Sequence, residues 1–374
     1  MDSEKNFDKW FTNSMGFIAW GDCFYGDTPE LESFFHIFNI NKENVKPFTK
    51  DISYFLENND QVIDVKWGVK AYFQFQDILA VEEDGNPLTH RHYCYYESLV
   101  YLRESIVSCL DQNILAGLVL LRPFLELSLM HLYWYIRCEH KGYKPYYDWF
   151  EGKKGKPPFK NQLDYIFSNL SAEGHISHKE IIEIKDAINN IYKSLCSYNH
   201  TPKLDESIIN LCGGWGNISK HGFTSYWRKI SNLLRKIVHL YILVYPMALF
   251  PVDRYQKWAF HGPLGLTFDK YNFAYLKMFI GFDKLSQLMD QLVLSEAVIH
   301  WYQWFNSLPD LDDKEIEKDW IKFFKEYNLF DTEDVIIRNN LYKANARLNS
   351  WFPNYLHEPT LARIGKQLRG LNSD

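Results

Sequence analysis

One stretch of the chain constrains its fold more than any other: residues 115–136 read LAGLVLLRPFLELSLMHLYWYI and are almost wholly apolar. The run is interrupted by Arg122 and Glu126, which stand four residues apart and therefore share one face of a helix. Charges in so apolar a segment are costly unless they are paired, so other parts of the fold are expected to meet them. The sequence thus predicts a buried helix with a polar pair on one side.

Two segments are apolar enough to be compared with membrane spans. Residues 115–136 have the length, but Arg122, Glu126 and His131 interrupt them. Residues 237–252 are too short and contain His239 and Pro246. Buried helices of a soluble protein explain both segments better, so we predict no association with a membrane.

Composition excludes several classes of protein. Of 374 residues, 46% are hydrophobic and 24% charged, which is typical of a globular chain rather than a disordered one. The net charge of −6 argues against a protein that coats DNA through broad phosphate neutralisation. A local basic strip runs through residues 220–236, a pattern that usually marks a solvated helix face.

Cysteine usage and the first residues indicate a cytoplasmic protein. The six cysteines are scattered without Cys-x-x-Cys spacing, and the opening residues MDSEKNFDKWF lack the basic and then apolar pattern of a secretory signal. We therefore expect reduced thiols in the cytoplasm.

The chain divides into three regions by pattern. Residues 1–92 form a small mixed α/β region, because residues 62–78 (VIDVKWGVKAYFQFQDI) alternate roughly and are rich in β-branched side chains, which allows a strand or two. Residues 93–250 form a multi-helix core, and residues 251–374 add further helices. The predicted fold class is therefore mainly α.

Several helices have recognisable ends. Ser177 and Glu180 have the spacing of a capping box at the start of a helix over 179–199, which Pro202 is expected to stop. Two earlier helices are joined by a tight turn, and an exposed Gly/Lys/Pro loop separates them from the capped helix. The two earlier helices cover 95–112 and 114–137, and the loop covers 151–160. Two further helices are predicted near the C-terminus: 315–327, begun by Asp312 or Asp313, and 334–348, begun by Asp331 or Thr332.

The polar residues near Arg122 suggest which group could join it. Pro123 removes a backbone donor and is expected to kink or restart the helix. His131 lies nine residues after Arg122 and points away from it on helical geometry. His200 follows the capped helix, and the helix dipole there favours its protonated form, so it is either a capping histidine or a companion of Arg122 and Glu126.

Two motifs resemble those of a known group. The run 115–136, with its Arg-x-x-x-Glu, is followed about sixty residues later by Leu195-Cys196-Ser197-Tyr198-Asn199-His200. Over residues 95–245 the chain resembles uncharacterised prokaryotic helical proteins related to the HEPN superfamily, whose second helix ends in a Leu-Ser-x-Tyr-x-His-like phrase. Here a cysteine is inserted into that phrase.

The resemblance implies a HEPN-like helical bundle, often dimeric, in a defence or toxin–antitoxin system. Many HEPN proteins are metal-independent ribonucleases that use an arginine followed by four to six residues and a histidine. Arg254 and His261 have that spacing, but Pro251 and Pro263 flank them and 13 histidines make such a pair common by chance. The pattern is therefore unconvincing here.

We accordingly predict a site of Arg122, Glu126 and His200, with Tyr198 and Asn199 at its edge as substrate-binding residues. Arg122 would bind an anion, and His200 would act as acid and base. The pairs His90/His92 and His175/His178 lack further ligands at persuasive spacing, so we predict no metal and no cofactor.

Two functional hypotheses follow. The first is a defence or toxin-like ribonuclease that acts on RNA, with a protein partner and a homodimeric state. The second is a non-catalytic binding or scaffold protein in which the Arg–Glu–His cluster is a structural network that fixes helix register.

Overall fold

A computed structural model describes residue 56 and residues 58–77, 92–173, 176–199, 220–249, 270–293, 295–307, 312, 314 and 315. Of the residues it describes, 88% are helical and none is in a strand. The prediction of a mainly α protein is confirmed.

Ten α-helices and two short 3-10 helices make up the described part of the chain. They are α1 (Asp60–Phe73), a 3-10 helix (Gln74–Asp77), α2 (Tyr93–Leu110), α3 (Ile114–Lys141), α4 (Lys144–Phe150), α5 (Phe159–Glu173), α6 (His178–Asn199), α7 (Lys220–Val244), a second 3-10 helix (Pro246–Leu249), α8 (Lys270–Ile280), α9 (Phe282–Leu292) and α10 (Glu296–Ser307).

Helix α3 lies at the centre of one packed unit. It contacts α2, α4, α5, α6 and α7, and this explains why its sequence is apolar on nearly every side. The side chain of Asn113 caps its first turn by accepting a hydrogen bond from the amide of Ala116 at 3.2 Å, and Gly142, with φ of 70°, ends it. The helix runs through Pro123 without a break, so the proline does not restart it as the sequence suggested.

Helices α2 and α3 form a hairpin, as predicted. Gln112 makes the turn with a positive φ of 68°. At Gly117 the two helices approach closely: the Ser105 hydroxyl on α2 donates to the Gly117 carbonyl at 2.7 Å and contacts the Tyr226 hydroxyl of α7 at 2.9 Å. Helices α2, α3 and α7 therefore meet at Gly117, where the absence of a side chain allows them to approach closely.

The prediction of strands within 62–78 is wrong for the residues that the structure describes. Asp60–Phe73 is a helix, α1, and every residue from Val65 to Phe73 is buried. Because both faces of this segment are covered, its β-branched residues pack well in a helix, and tertiary packing overrides their β propensity. Asp64 also ties α1 to α7 through a salt bridge with Arg235 and a hydrogen bond from Ser231.

Two predicted helix starts are confirmed. The Ser177 hydroxyl accepts from the Glu180 amide at 3.2 Å, at the start of α6. Asp312 caps the start of the helix predicted over 315–327. Its carboxylate accepts hydrogen bonds from the amides of Lys314 and Glu315, and the Glu315 carboxylate accepts one from the Asp312 amide. The rest of the predicted helix 315–327, the helix 334–348 and Pro202 lie outside the described residues.

The described helices fall into two compact units, with boundaries between Phe73 and Gln74 and between Val244 and Tyr245. One unit contains α1–α7, so α1 belongs with the helices of the predicted core. The other contains the two 3-10 helices and α8–α10; in it α8 contacts α9, and α10 contacts the Pro246–Leu249 helix.

Within the described part of the chain, α3 is the one helix long and apolar enough to cross a membrane. Of its most apolar 18-residue window, 56% is buried inside the fold. Core helices of soluble proteins meet the same criteria, so this is weak support for a span.

We expect Gly117→Ala to lower the stability of the protein. A Cβ at this position would stand 2.9 Å from the backbone oxygen of Ser105 and 3.0 Å from a ring carbon of Tyr226. The clash should outweigh the helix propensity that alanine adds and reduce the free energy of unfolding by about 1–2 kcal/mol, measured by urea denaturation. Gly155→Ala is the control, because a Cβ there would have no atom within 4 Å, and it should leave stability unchanged.

Candidate functional site

Arg122 and Glu126 form the ion pair that their spacing predicts. On α3 the Arg122 Nε donates to Glu126 Oε1 at 2.8 Å. The side chains are 26% and 15% exposed, so the pair lies at the edge of the packed unit rather than inside it. The position keeps the charges paired while leaving one side open to solvent.

Lys156 is a second cation on the same carboxylate. It lies in the loop before α5, and its Nζ donates to Glu126 Oε2. Two cations thus share one anion, which leaves the cluster with a surplus of positive charge. The sequence showed the loop as exposed but did not link it to Glu126.

The two cations set the protonation of Glu126. Partial burial by itself acts to raise the pKa of this carboxyl, but the hydrogen bonds from Lys156 and Arg122 outweigh it and the pKa lies below its ordinary value. The hydrogen bond to Glu126 in turn raises the pKa of Arg122. The Arg122–Glu126 pair is therefore ionised at neutral pH.

A stack of two aromatic rings covers the other side of Arg122. Its guanidinium carbon lies 5.5 Å from the ring centroid of Tyr192 on α6, and Nη2 is 3.4 Å from the Tyr192 hydroxyl. Phe159, the first residue of α5, stacks on Tyr192 with centroids 3.6 Å apart and an interplanar angle of 8°. We call Arg122, Tyr192 and Phe159 the cation–aromatic column. All three side chains are half-buried.

Tyr198, predicted at the edge of the site, lies on another face of α6. The Nζ of Lys229 on α7 is 5.6 Å from its ring centroid and 3.5 Å from the Ser194 hydroxyl. Tyr198 is buried and packs beneath this lysine of the basic strip, whereas Arg122 contacts Tyr192, six residues earlier. The structure therefore does not bring Tyr198 to Arg122.

Other predicted residues lie outside the described part. Asn199 is the last residue of α6, but its side chain is not described, and neither is His200. The Arg254–His261 pair, His90 and His175 also lie outside it. Within the described ranges, no group of three or more His, Cys, Asp or Glu residues is arranged to hold a metal ion.

A second polar cluster, which sequence reasoning missed, lies inside the unit formed by α1–α7. His92 Nδ1 is 3.0 Å from His131 Nε2, and His131 Nδ1 is 2.9 Å from the Tyr241 hydroxyl. The Tyr241 hydroxyl is 3.2 Å from that of Tyr72. Tyr72 also contacts the hydroxyls of Ser98 at 2.7 Å and Ser128 at 3.0 Å. We call these six residues the buried polar chain.

The buried polar chain links α1, α2, α3 and α7. All six side chains are nearly inaccessible to solvent, with His92 the most exposed at 3%. Burial raises the pKa of Tyr72 to about 12, although its hydrogen bonds with Ser128, Ser98 and Tyr241 act against the rise. A substrate has no access to such a chain, so its role is to fix the register of four helices.

His131 is the part of this chain that the sequence could place. The prediction that His131 points away from Arg122 is confirmed, since His131 pairs with His92 and stacks on the Tyr241 ring. Its partners come from residues 39 and 110 positions away, and no local pattern indicates them.

Comparison with known proteins finds no matching family model, no similar curated protein and no similar solved structure. The resemblance to HEPN proteins therefore stays a prediction.

We expect Tyr72→Phe to destabilise the fold without changing its shape. The substitution leaves the hydroxyls of Ser98, Ser128 and Tyr241 without the bonds they now make to Tyr72, which should lower the free energy of unfolding by about 1–3 kcal/mol. Urea denaturation measures the change. Tyr101→Phe is the matched control, because Tyr101 on α2 is only half-buried and should have little effect. Equal losses in both variants would contradict a special role for the chain.

Glu126→Gln should lower thermal stability at neutral pH by more than it does in acid. The depressed pKa means that the ionised carboxylate stabilises the folded state above its ordinary value of 4.5 and loses that contribution as the pH falls below it. The melting-temperature difference between wild type and variant should therefore shrink in acid. Glu183→Gln is the control: Glu183 is 66% exposed, with Lys179 at 3.9 Å, and its difference should stay small throughout. A Glu126 difference independent of pH would contradict the ionic account.

Proposed function

We propose that this protein is a prokaryotic defence or toxin-like protein with a HEPN-like helical core that acts on RNA in the cytoplasm, as a homodimer and with a protein partner from the same system. Its activity would be metal-independent cleavage of the RNA phosphodiester. Support comes from two sources: the motif resemblance over residues 95–245 and the chemistry of the cluster around Arg122.

The observation that carries the proposal is the cation–aromatic column beside a carboxylate shared by two cations. Arg122 and Lys156 together outnumber Glu126 in charge, which favours a phosphate group. Tyr192 and Phe159 present two stacked rings beside the Arg122 guanidinium at a half-buried surface. Single-stranded RNA is bound through this combination of positive charge and planar side chains.

In this proposal each residue has a definite role. Arg122 binds the phosphate and stabilises its developing charge, and Glu126 orients Arg122 and balances its charge. His200 takes the proton of the ribose 2′-hydroxyl as that oxygen attacks phosphorus, and it returns a proton to the 5′-oxygen as the bond between that oxygen and phosphorus breaks. The products are a 2′,3′-cyclic phosphate and a free 5′-hydroxyl. Asn199 would help to position the RNA beside His200, whereas Tyr198, buried beneath Lys229, is not assigned a part in binding.

A second candidate is a non-catalytic scaffold protein in which the cluster is structural. The observation that favours it is that Glu126 binds Arg122 and Lys156 at the same time, which ties the loop before α5 to α3. Tyr192 adds α6 to the same junction. Such a network fixes how three segments pack and requires no substrate.

An RNA cleavage assay tests the proposal. Purified full-length protein should cleave a fluorescent single-stranded RNA in the presence of EDTA, because no metal takes part. His200→Ala should reduce the rate by about a hundredfold or more, since it removes the acid–base group, while the melting temperature stays near that of wild type. Arg122→Lys should retain part of the activity that Arg122→Gln loses, because lysine keeps the charge but not the planar group.

His140→Ala is the matched histidine control, because His140 is exposed near the end of α3 and the variant should cleave like wild type. Wild-type protein that cleaves no RNA, together with an Arg122→Gln variant that melts several degrees lower, would overturn the ribonuclease and support the scaffold. Equal activity in wild type and His200→Ala would remove His200 from the mechanism.

A further inference from the structure

Residues 141–160 form a second surface of distinctive chemistry. Their sequence, KGYKPYYDWFEGKKGKPPFK, contains six lysines, six aromatic residues and two acids, but no aliphatic side chain other than proline. The lysines exceed the acids by four charges in a chain whose net charge is −6. We call this segment, which includes α4 and the loop to α5, the lysine–aromatic ridge.

The ridge lies on the outside of the unit. Every residue from Glu151 to Lys156 is exposed, and the side chains of Lys144, Lys153 and Lys154 are 85%, 66% and 64% exposed. Gly152, with φ of 74°, turns the chain directly after α4 and brings Lys154 back to Asp148 of that helix at 2.8 Å. The reversal gathers the lysines of α4 and of the loop on one short stretch of surface.

The exposed aromatic side chains of the ridge pack against a layer of buried aromatic residues. Tyr146 is fully buried and Trp134 of α3 is 3% exposed, with Trp149 stacked on Trp134 at 5.6 Å. The rings of Tyr147 and Phe150 pack against Tyr146 and are 39% and 40% exposed. Exposed aromatic rings fixed by a buried aromatic layer are pre-ordered for contact with a planar ligand, so little side-chain freedom is lost on binding.

The two acids of the ridge are already matched. Asp148 pairs with Lys144 at 3.2 Å and with Lys154, and Glu151 pairs with Lys153. Because one carboxylate serves two lysines, the ridge keeps its positive surplus. Charge complementarity therefore points to a polyanion.

We propose that the lysine–aromatic ridge binds single-stranded RNA, with phosphates on the lysines and bases stacked on Tyr147 and Phe150. An anionic membrane is the less favoured ligand, since insertion relies on apolar area and the segment has no leucine, isoleucine, valine or methionine. A duplex is also less favoured, because its bases are already stacked on each other and cannot cover exposed rings.

The ridge is continuous with the site described above. Lys156 of the loop contacts Glu126, and Phe159 at the end of the ridge is part of the cation–aromatic column. The inference rests on the proposed function for one point, the choice of RNA as the ligand. A single RNA strand bound at the Arg122 cluster would continue along the ridge.

Binding of a fluorescein-labelled 12-nucleotide oligouridylate to the full-length protein, followed by anisotropy, tests the ridge. The measurement uses the His200→Ala variant so that cleavage does not interfere. Tyr147→Ala should weaken binding about tenfold, the loss of one stacked base. Lys153→Gln combined with Lys154→Gln should weaken it and should reduce the slope of log affinity against log salt by about 1.4. Because all three side chains are exposed, melting temperatures should stay near the parent's.

Lys179→Gln combined with Lys284→Gln is the control, because both lysines are exposed outside the ridge and should leave affinity and salt slope unchanged. A self-complementary RNA duplex should bind more weakly than the oligouridylate. Parent-like affinity in both ridge variants would overturn the ridge even if cleavage at Arg122 is found. Loss of binding in the ridge variants, with no cleavage by wild type, would uphold the ridge and overturn the ribonuclease. Sedimentation with phosphatidylglycerol vesicles but no RNA binding would assign the surface to a membrane and overturn the inference.

Discussion

Burial of α3 is the interaction on which the unit of α1–α7 depends. This helix is in contact with α2, α4, α5, α6 and α7, so each of them covers part of its apolar surface. Close approach is possible because Gly117 carries no side chain where α2 and α7 cross it. The ion pair of Arg122 and Glu126 is tolerated because it sits at the edge of this contact surface, where solvent reaches it.

The unit of α1–α7 contains two polar clusters, one that fixes helix packing and one that is open to solvent. The buried polar chain from His92 to Tyr72 is inaccessible and hydrogen-bonded along its length, so it specifies how four helices pack. The cluster at Arg122 is partly exposed, carries a charge surplus and is bordered by stacked rings. Its chemistry suits a phosphate, and the lysine–aromatic ridge continues the same combination of charge and aromatic surface through Lys156 and Phe159.

The fold was predictable where the signal is local. The periodicity of α2, α3 and α6, the cap at Ser177 and the cap at Asp312 all concern residues within one or two turns of each other. Prediction was wrong at α1, where rough alternation and β-branched residues suggested a strand. The outcome there depends on burial of both faces against other helices, and a local pattern carries no information about such neighbours.

The sequence by itself determined that the protein is mainly helical, that Arg122 and Glu126 share a helix face and that His131 points away from them, because each follows from spacing along one helix. Tertiary structure alone decided that Lys156 and Tyr192 complete the Arg122 cluster, that Tyr198 turns to Lys229 and that His131 joins His92 and Tyr241. These partners are 30 to 110 residues apart. Their meeting depends on how helices pack, which side-chain volume and burial decide over the whole unit.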